Sequence, residues 1–484
     1  MLATQLAGYP NILVVLEPPE VASVTNFGGM AESMTHFSPP SSARTIPAYP
    51  AKVAAKRSAV IVGADADALG IARSLGRAGV PVIMVDTDVR RPAMHSRYAR
   101  PFAVKAMSGL GLIDGLLALR ASIDHSPLLF LTADRHVRSV SEHRARLAGA
   151  FQIRLPEPSR ISQLLDKLTF QDLAERHGFP VPRAIGVHSK KDFVNFSEIR
   201  FPAVIKPGNK EVSSDSKAPR AQKVWSREEA EAACQLILQE APDLIVQEWV
   251  EGSESNIYFC LQYRGENGRT ISSFTGRKLR CWPPQMGSTA SCTAAPEVES
   301  ELRHLTKAFF DRTQCVGICS MEFKRDQRTG KFFMIEPTVG RTDWQEEVAT
   351  INGVNIPLAA YCYELRLPQP EPEGIGRPLT WTYPPSYLRS IVRSALVTEP
   401  FPDRQPSAGR MKSPCWSFDD PVPLFFFVLE WIRKLWSPHR WLELTCQCRQ
   451  VRDAASAIVA SDDQVAGSPT GTVPPALPVP PKAL

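Results

Sequence analysis

A chain of 484 residues has room for two or three domains with cores of their own, and 43% hydrophobic with 22% charged content is that of an ordinary globular protein. A formal charge of +6 is too small over this length to argue for nucleic acid, so anionic small molecules are the natural partners. No run of about 20 uncharged apolar residues is present to span a bilayer, and no basic start, apolar core and small-residue cleavage site marks a secretory signal. The ten cysteines lack paired zinc-site spacing, the closest being Cys315 with Cys319 and Cys446 with Cys448. Free buried thiols in a reducing cytoplasm are expected.

Residues 1–56 are rich in Pro, Ser and Ala, including Pro39-Pro40-Ser41-Ser42, and read as a disordered leader. Order begins at Ser58-Ala59-Val60-Ile61-Val62-Gly63, an apolar run that fits a buried parallel strand. A helical pattern at Leu69, Ala72, Leu75 and Ala78 closes at Gly79, a strand follows at Pro81 to Asp86, and another is expected at Leu128 to Thr132. This is a doubly wound unit, assigned to residues 57–155. Gly63 to Gly70 is not G-x-G-x-x-G. Asp65 and Asp67 stand where a dinucleotide pyrophosphate would approach and would repel it, so a helix start capped by one of these acids is the preferred reading. Asp86 alone favours a ribose.

The pattern changes at about residue 156. A helix at Leu164 to Ala174 ends at His177-Gly178. Phe201 to Pro207 reads as a strand with Lys206 near its end, and Gly208 to Arg220 as a polar loop carrying Ser213, Ser214 and Ser216. A helix at Arg227 to Glu240 leads to a strand from Leu244 towards Gly252, and further strands are expected at Ile257 to Tyr263 and Ile271 to Lys278. Together these make an α+β body over 156–368. Pro368, Pro370, Pro372 and Gly374 mark a linker into a basic, aromatic extension, 369–453, with Trp416, Trp431, Trp436 and Trp441. A Pro/Ala-rich tail, 454–484, reads as disordered. Within the extension, residues 423–436 suit either an interfacial helix with Arg433 and Lys434 near headgroups or a helix packed on the body.

Residues 322–341 hold the most informative local feature. Met321-Glu322-Phe323-Lys324 and Phe332 to Glu336 flank a turn at Asp326 to Gly330, which as a hairpin would set Glu322 against Glu336 on one sheet surface. Opposed carboxylates repel unless a cation lies between them, and oxygen-only ligands suit Mg²⁺ completed by phosphates. Two solvated acids on a hairpin is the plainer alternative. Similarly, Lys206 before a Ser-rich loop suits a phosphate cradle or a solvated strand end, and the same holds for Lys167.

The ordered set of Asp166-Lys167, Lys206 closing Phe-Pro-Ala-Val-Ile-Lys-Pro, Gln247-Glu248-Trp249-Val250-Glu251-Gly252-Ser253-Glu254, then Glu322 and Glu336 resembles the ATP-grasp superfamily. Within it the chain looks most like the carboxylate-amine ligases related to D-aspartate ligase and the carbamoyl-phosphate synthase large subunit. The resemblance spans roughly residues 160–345. It implies a Rossmann-like pre-ATP-grasp domain followed by an ATP-grasp fold of two α+β subdomains with ATP between them. It also implies phosphate contacts from Lys167 and Lys206, adenine contacts from Gln247, Glu248 and Val250, a ribose contact from Glu254, and Mg²⁺ on Glu322 and Glu336. Lys278 and Arg341 match basic positions that act on phosphate or the acyl intermediate, with Arg277 a competitor for the first role. Thr338 replaces the family's usual asparagine, a shorter ligand for a hard cation, and Arg341 is spaced further from Glu336 than in E-x-N-P-R.

The resemblance further implies an ATP- and Mg²⁺-dependent enzyme that activates a carboxylate as an acyl phosphate and joins it to an amine. Its partners would be small-molecule carboxylate and amine substrates rather than nucleic acid, in the cytoplasm; peripheral membrane contact through 423–436 belongs to the interfacial reading of that segment, over which packing on the body is preferred. The alternatives are a nucleotide-binding regulatory or scaffold protein with a degenerate ATP-grasp site, and an NAD-dependent oxidoreductase built on residues 58–86. The loops Arg280 to Thr293 and Asp343 to Glu347 are the expected substrate pocket, whose composition does not select a substrate.

Overall fold

Four buried residues, Ala59–Val62, form β1 and open a parallel sheet. β2 (Val82–Asp86) and β3 (Ala99–Ala103) lie on one side of it and β4 (Leu128–Leu131) on the other, in the order β3-β2-β1-β4. Parallel neighbours need a crossover, and helix Ala66–Arg77 supplies the first, burying Leu69, Ile71, Ala72 and Leu75. The expected strand-helix-strand unit is present, enlarged by β3 and by helix Gly109–Ala121. Asp65 takes the N-cap position without capping; its carboxylate pairs with Arg91 at 2.6 Å. Gly63, at φ +108°, lets the tip of β1 pass β4: a Cβ there would fall 2.1 Å from Thr132 Oγ1.

The computed structural model describes residues 57–208, 221–371, 377–396 and 410–435. The expected leader, most of the polar loop 208–220, Trp436, Trp441 and the expected tail lie outside the described residues.

A second sheet is wholly antiparallel. It runs β5-β8-β6-β7, from β5 (Ala184–Val187), β6 (Ala203–Pro207), β7 (Gln222–Val224) and β8 (Leu244–Glu248). Helix Arg227–Ile237 covers it with Ala230, Ala233, Cys234 and Ile237. The helix expected to begin at Leu164 is instead two, Pro158–Leu165 and Lys167–Arg176. The break is at Asp166, whose carboxylate accepts hydrogen bonds from the Thr169 N–H and hydroxyl at 2.8 Å each. That cap starts a new helix on Lys167.

The third sheet has seven strands: β9 (Ile257–Arg264), β10 (Thr270–Trp282), β11 (Ser288–Ala294), β12 (Gly317–Arg325), β13 (Phe332–Val339), β14 (Thr380–Thr382) and β15 (Met411–Lys412). Their order is β13-β12-β9-β10-β11-β14-β15, antiparallel except for the last pair. The described part of the expected C-terminal extension is therefore built into the body. β14 and β15 finish the large sheet, and Arg73, 1% exposed, reaches Asp420 at 3.0 Å.

Three apolar cores hold these sheets. Two are shared between the parallel and seven-stranded sheets: Val60, Leu129, Met321 and Phe309 sit in one, and Ile61, Phe130, Phe259 and Trp381 in the other. The third, around Val187, Phe196, Ala203, Ile205 and Val246, belongs to the β5 to β8 lobe alone. The eight described cysteines are buried and unbridged. Among the described residues no helix is long and apolar enough to cross a membrane.

Candidate active site between the lobe and the large sheet

β12 and β13 pair antiparallel with Glu322 directly opposite Glu336, the arrangement their spacing predicts. The register shifts at the next step, where Phe323 faces Met334, so Ile335 is an extra residue in a bulge beside the two acids. Such a bulge re-aims neighbouring side chains without ending the ladder.

Lys278, on β10, reaches across β9, and its Nζ lies 2.5 Å from Glu322 Oε2. Burial works against the ammonium, but Glu322, helped by Asp343, holds its proton above the ordinary lysine range. Strand alternation turns Arg277 away from Glu322. That side chain faces the other way, stacked 5.5 Å over the Tyr258 ring and 3.8 Å from Glu297.

Lys324 was not among the expected site residues. It follows Glu322 by two positions on β12, hence on the same face, and its Nζ donates to the carbonyls of Gly252 at 2.8 Å and Ser253 at 2.7 Å. It thereby ties the large sheet to the segment leaving β8. Burial lowers its proton affinity to about 8, against the pull of Cys281, Glu254 and Glu322. The ring of Trp249, on the same segment, has the ammonium of Lys324 at 5.9 Å and that of Lys223 at 4.3 Å from its centre.

Glu254 is buried and accepts hydrogen bonds from the N–H groups of Cys281 at 3.0 Å and Gln285 at 2.6 Å. Burial raises its proton affinity and those two bonds oppose the rise. Glu248 ends β8 with its carboxylate turned to Arg200 at 2.7 Å. An adenine contact there would fall to the main chain around Val250 rather than to the Glu248 side chain.

Across the gap, Lys206 donates to Gln247 Oε1 at 3.2 Å, and Gln247 donates to Gln171 Oε1 at 3.2 Å. Lys167, first residue of its helix, donates to the Pro207 carbonyl at 2.8 Å, and its N–H bonds Gly208 at 3.2 Å. Both lysines thus gather at the end of β6, where the polar loop begins.

Arg341 follows the end of β13. Gly340, at φ +74°, turns the chain after β13 towards the parallel sheet, and Arg341 pairs with Asp134 at 2.5 Å and bonds the Thr342 carbonyl at 3.0 Å. Asp134, 207 residues away, has no signal in the sequence that links it to Arg341. Two residues on, Asp343 accepts from Ser320 Oγ at 2.7 Å; Ser320 faces Thr338 in the register. Asp343 therefore brings a carboxylate close to the strand position where the asparagine is missing. Glu346, buried with both carboxylate oxygens unpartnered among the described residues, has its proton affinity raised to about 8 by burial and by Glu347, Asp67 and Asp343.

The donor set fits a magnesium ion in chemical type. Glu322 and Glu336 present hard oxygen ligands from adjacent strands, and positive charge is already drawn onto Glu322 by Lys278. Two carboxylates fill only part of an octahedral shell, leaving positions for phosphate and water.

No protein-family model matches the chain. D-aspartate ligase of Enterococcus faecium (strain Aus0004) is 23% identical over 317 residues, which cover 61% of this chain and 74% of that protein. Among solved structures, the ADP complex of N5-carboxyaminoimidazole ribonucleotide synthetase superposes with a TM-score of 0.55 at 14% identity, covering 74% of this chain and 90% of that one. The biotin carboxylase of Campylobacter jejuni gives 0.52 at 15%, covering 65% and 72%. The ATP complex of the carboxyaminoimidazole ribonucleotide synthase of Aspergillus clavatus gives 0.51 at 13%, covering 70% and 86%. With an antiparallel lobe that holds its own core beside a large sheet carrying paired glutamates, the chain shares the fold of these nucleotide-bound synthetases and of biotin carboxylase.

Proposed function

We propose that this protein is an ATP- and Mg²⁺-dependent ligase that activates a carboxylate as an acyl phosphate and joins it to an amine. The observation that carries the reading is the opposed pair Glu322 and Glu336 with Lys278 set on Glu322. A relative that is a D-aspartate ligase favours small carboxylate and amine substrates.

The chemistry is limited by charge, because a carboxylate must approach a triphosphate. Lys167 and Lys206 would hold phosphates from the lobe side. Val250, with Gln247 and Glu248 behind it, would offer main-chain contacts to adenine, and Glu254 would face the ribose. Glu322 and Glu336 would hold Mg²⁺, which when bound offsets the charge of the phosphate oxygens. Lys278 would stabilise the γ-phosphoryl as the carboxylate oxygen bonds to phosphorus and the bond to ADP breaks. An amine nitrogen then bonds to the acyl carbon, phosphate leaves with the electron pair, and the nitrogen loses a proton. Arg341, anchored on Asp134, would act on phosphate or the acyl intermediate only after exchanging that partner.

We assign residues 57–155 to the Rossmann-like unit, 156–368 to the ATP-grasp body and 369–453 to a C-terminal basic and aromatic extension, and place the protein in the cytoplasm. Calorimetry of ATP with and without Mg²⁺, on the intact chain and on Glu336→Ala, tests the assignment. Mg²⁺-dependent binding that collapses in the variant is expected, followed by phosphate release that requires an added carboxylate. ATP binding without any carboxylate-dependent turnover would favour the regulatory reading, for which Thr338 is the motivating residue. Binding indifferent to both Mg²⁺ and Glu336 would remove the ligase assignment.

A further inference from the structure

Four carboxylates meet where the chain after β13 packs on the parallel-sheet unit. Asp343, Glu346 and Glu347 come from that chain, and Asp67 from helix Ala66–Arg77. Gly70 of the helix allows the close approach, since a Cβ there would lie 3.0 Å from Glu347 Cβ. Three of the four acids have a donor: Asp343 accepts from Ser320 Oγ at 2.7 Å, Glu347 from Trp381 Nε1 at 3.2 Å, and Asp67 from the Ala68 N–H at 2.9 Å. Glu346 has none among the described residues, although it is 2% exposed and both its oxygens are buried. Arg341 acts on Asp67, but its guanidinium is paired with Asp134.

A buried carboxylate without a donor is costly as an anion, and like charges beside it raise that cost. The arrangement calls for a cation. Among the described residues no three acids or histidines converge on one point as metal ligands do, so the cation it suits is one that makes separate hydrogen bonds, an ammonium. The acids continue in both directions. Outwards, the exposed Asp65 acts on Asp67, as Asp67 acts on Glu346. Inwards, Asp343 acts both on Glu346 and on Lys278, which is set on Glu322. Carboxylates thus lead from solvent towards the lysine that faces the paired glutamates.

We propose that this line of acids receives the amine substrate as a primary ammonium, which passes Asp65 and Asp67 and is held by Glu346, the group that takes its proton. This rests on the ligase reading, which leaves the acceptor of that proton unassigned. Glu346 removes one proton and frees the nitrogen lone pair. The nitrogen then bonds to the acyl carbon while the carbon–oxygen bond to phosphate breaks. Phosphate leaves with that electron pair and accepts the second proton of the nitrogen. Reactants of opposite charge are thereby kept on separate paths, the triphosphate among lysines and the ammonium among carboxylates. Because Glu346 is almost fully enclosed, the group it takes is slim, with its carbon chain trailing back towards Asp65.

The test is calorimetry of the full-length protein, loaded with Mg²⁺ and a non-hydrolysable ATP analogue, with propylammonium as the probe. Propylammonium should bind, tetramethylammonium, which has no N–H to donate, should not, and Glu346→Gln should weaken propylammonium at least about tenfold. Burial and its acidic neighbours hold the Glu346 proton up to about 8, so near neutral pH the arriving ammonium expels it. The heat of binding should therefore vary with the ionisation enthalpy of the buffer in the intact chain and not in Glu346→Gln, a difference that a purely structural carboxyl would not produce. Asp65→Asn, at an exposed position, should weaken propylammonium severalfold, which keeps the test valid if Glu346→Gln folds poorly. Propylammonium binding that is absent, or equal in the intact chain and both variants, overturns the proposal and leaves the ligase reading standing so long as the nucleotide binds. Failure of the intact chain to bind the nucleotide with Mg²⁺ removes the ligase reading and this site with it.

Discussion

Lys278 Nζ lies 2.5 Å from Glu322 Oε2, and Glu322 stands opposite Glu336 across β12 and β13. The ammonium is therefore positioned by the Glu322 carboxylate, and under the proposed function it would meet the charge of a transferring phosphoryl group. Binding and turnover should separate at this pair. Glu336→Ala should weaken Mg²⁺-dependent ATP binding at least about tenfold. Lys278→Met should leave that affinity within about tenfold while lowering phosphate release at least about a hundredfold, as for loss of one preorganised donor. Calorimetry and single-turnover phosphate release read the two effects. Equal losses in both for Lys278→Met would make it a binding residue only.

Arg341 and Asp134 join the loop after β13 to the end of β4, and both side chains are largely buried. Breaking such a pair leaves an uncompensated buried charge, which costs about 3–5 kcal/mol. Asp134→Leu should therefore destabilise the protein strongly. The double substitution with Arg341→Met should recover much of the loss, because two apolar groups of similar volume replace the pair. Urea unfolding across the double-mutant cycle measures the coupling, and simple additivity would show that the pair contributes no specific interaction.

Lys324 supplies a pH signature. Its proton affinity in the fold is lowered to about 8 from an ordinary 10.5, so between those values the unfolded chain binds more protons than the folded one. Its contribution to stability is then fully present above pH 10.5 and lost as pH falls through 8. The size is on the order of 3 kcal/mol. Lys324→Met should flatten this part of the stability profile, measured by chemical unfolding from pH 7.5 to 10. A slope unchanged in the variant would assign it to other groups.

Much of this arrangement is legible in the sequence because it is local. The facing of Glu322 and Glu336 follows from a hairpin whose strands are joined by six residues, and the place of Lys206 from an apolar strand meeting a polar loop. Lys324 could have been found by the same alternation that placed Glu322, since side chains two apart share a sheet face. Asp134 could not, because Arg341 meets it through the packing of two sheets. The break at Asp166 was hidden by an apolar pattern continuing through the cap, which masked the start of a helix at Lys167. The fate of the C-terminal segment was hidden too. β14 and β15 are three and two residues long, and such short strands are defined by the sheet edge they join.

The β5 to β8 lobe should close on nucleotide. Its core is its own, whereas the parallel and seven-stranded sheets share two cores, so relative motion is easiest at the lobe. Hydrogen bonds join it to the large sheet, Met334 N–H to Pro180 O at 2.7 Å, Gln327 N–H to Glu251 O at 2.9 Å, and Lys324 to the carbonyls of Gly252 and Ser253, while helix Lys167–Arg176 joins it to a shared core through Phe170 and Leu173. Gly252, at φ +140°, occupies a conformation that other residues resist, and a Cβ there would lie 2.6 Å from Asn256 Nδ2. Gly252→Ala should strain this joint and weaken MgATP binding severalfold. In hydrogen exchange, MgATP should slow the amides of β6 and β7 while leaving helix Gly109–Ala121, within a shared core, unchanged. Equal protection of both regions would mean that the molecule responds as one body and that the lobe does not move independently.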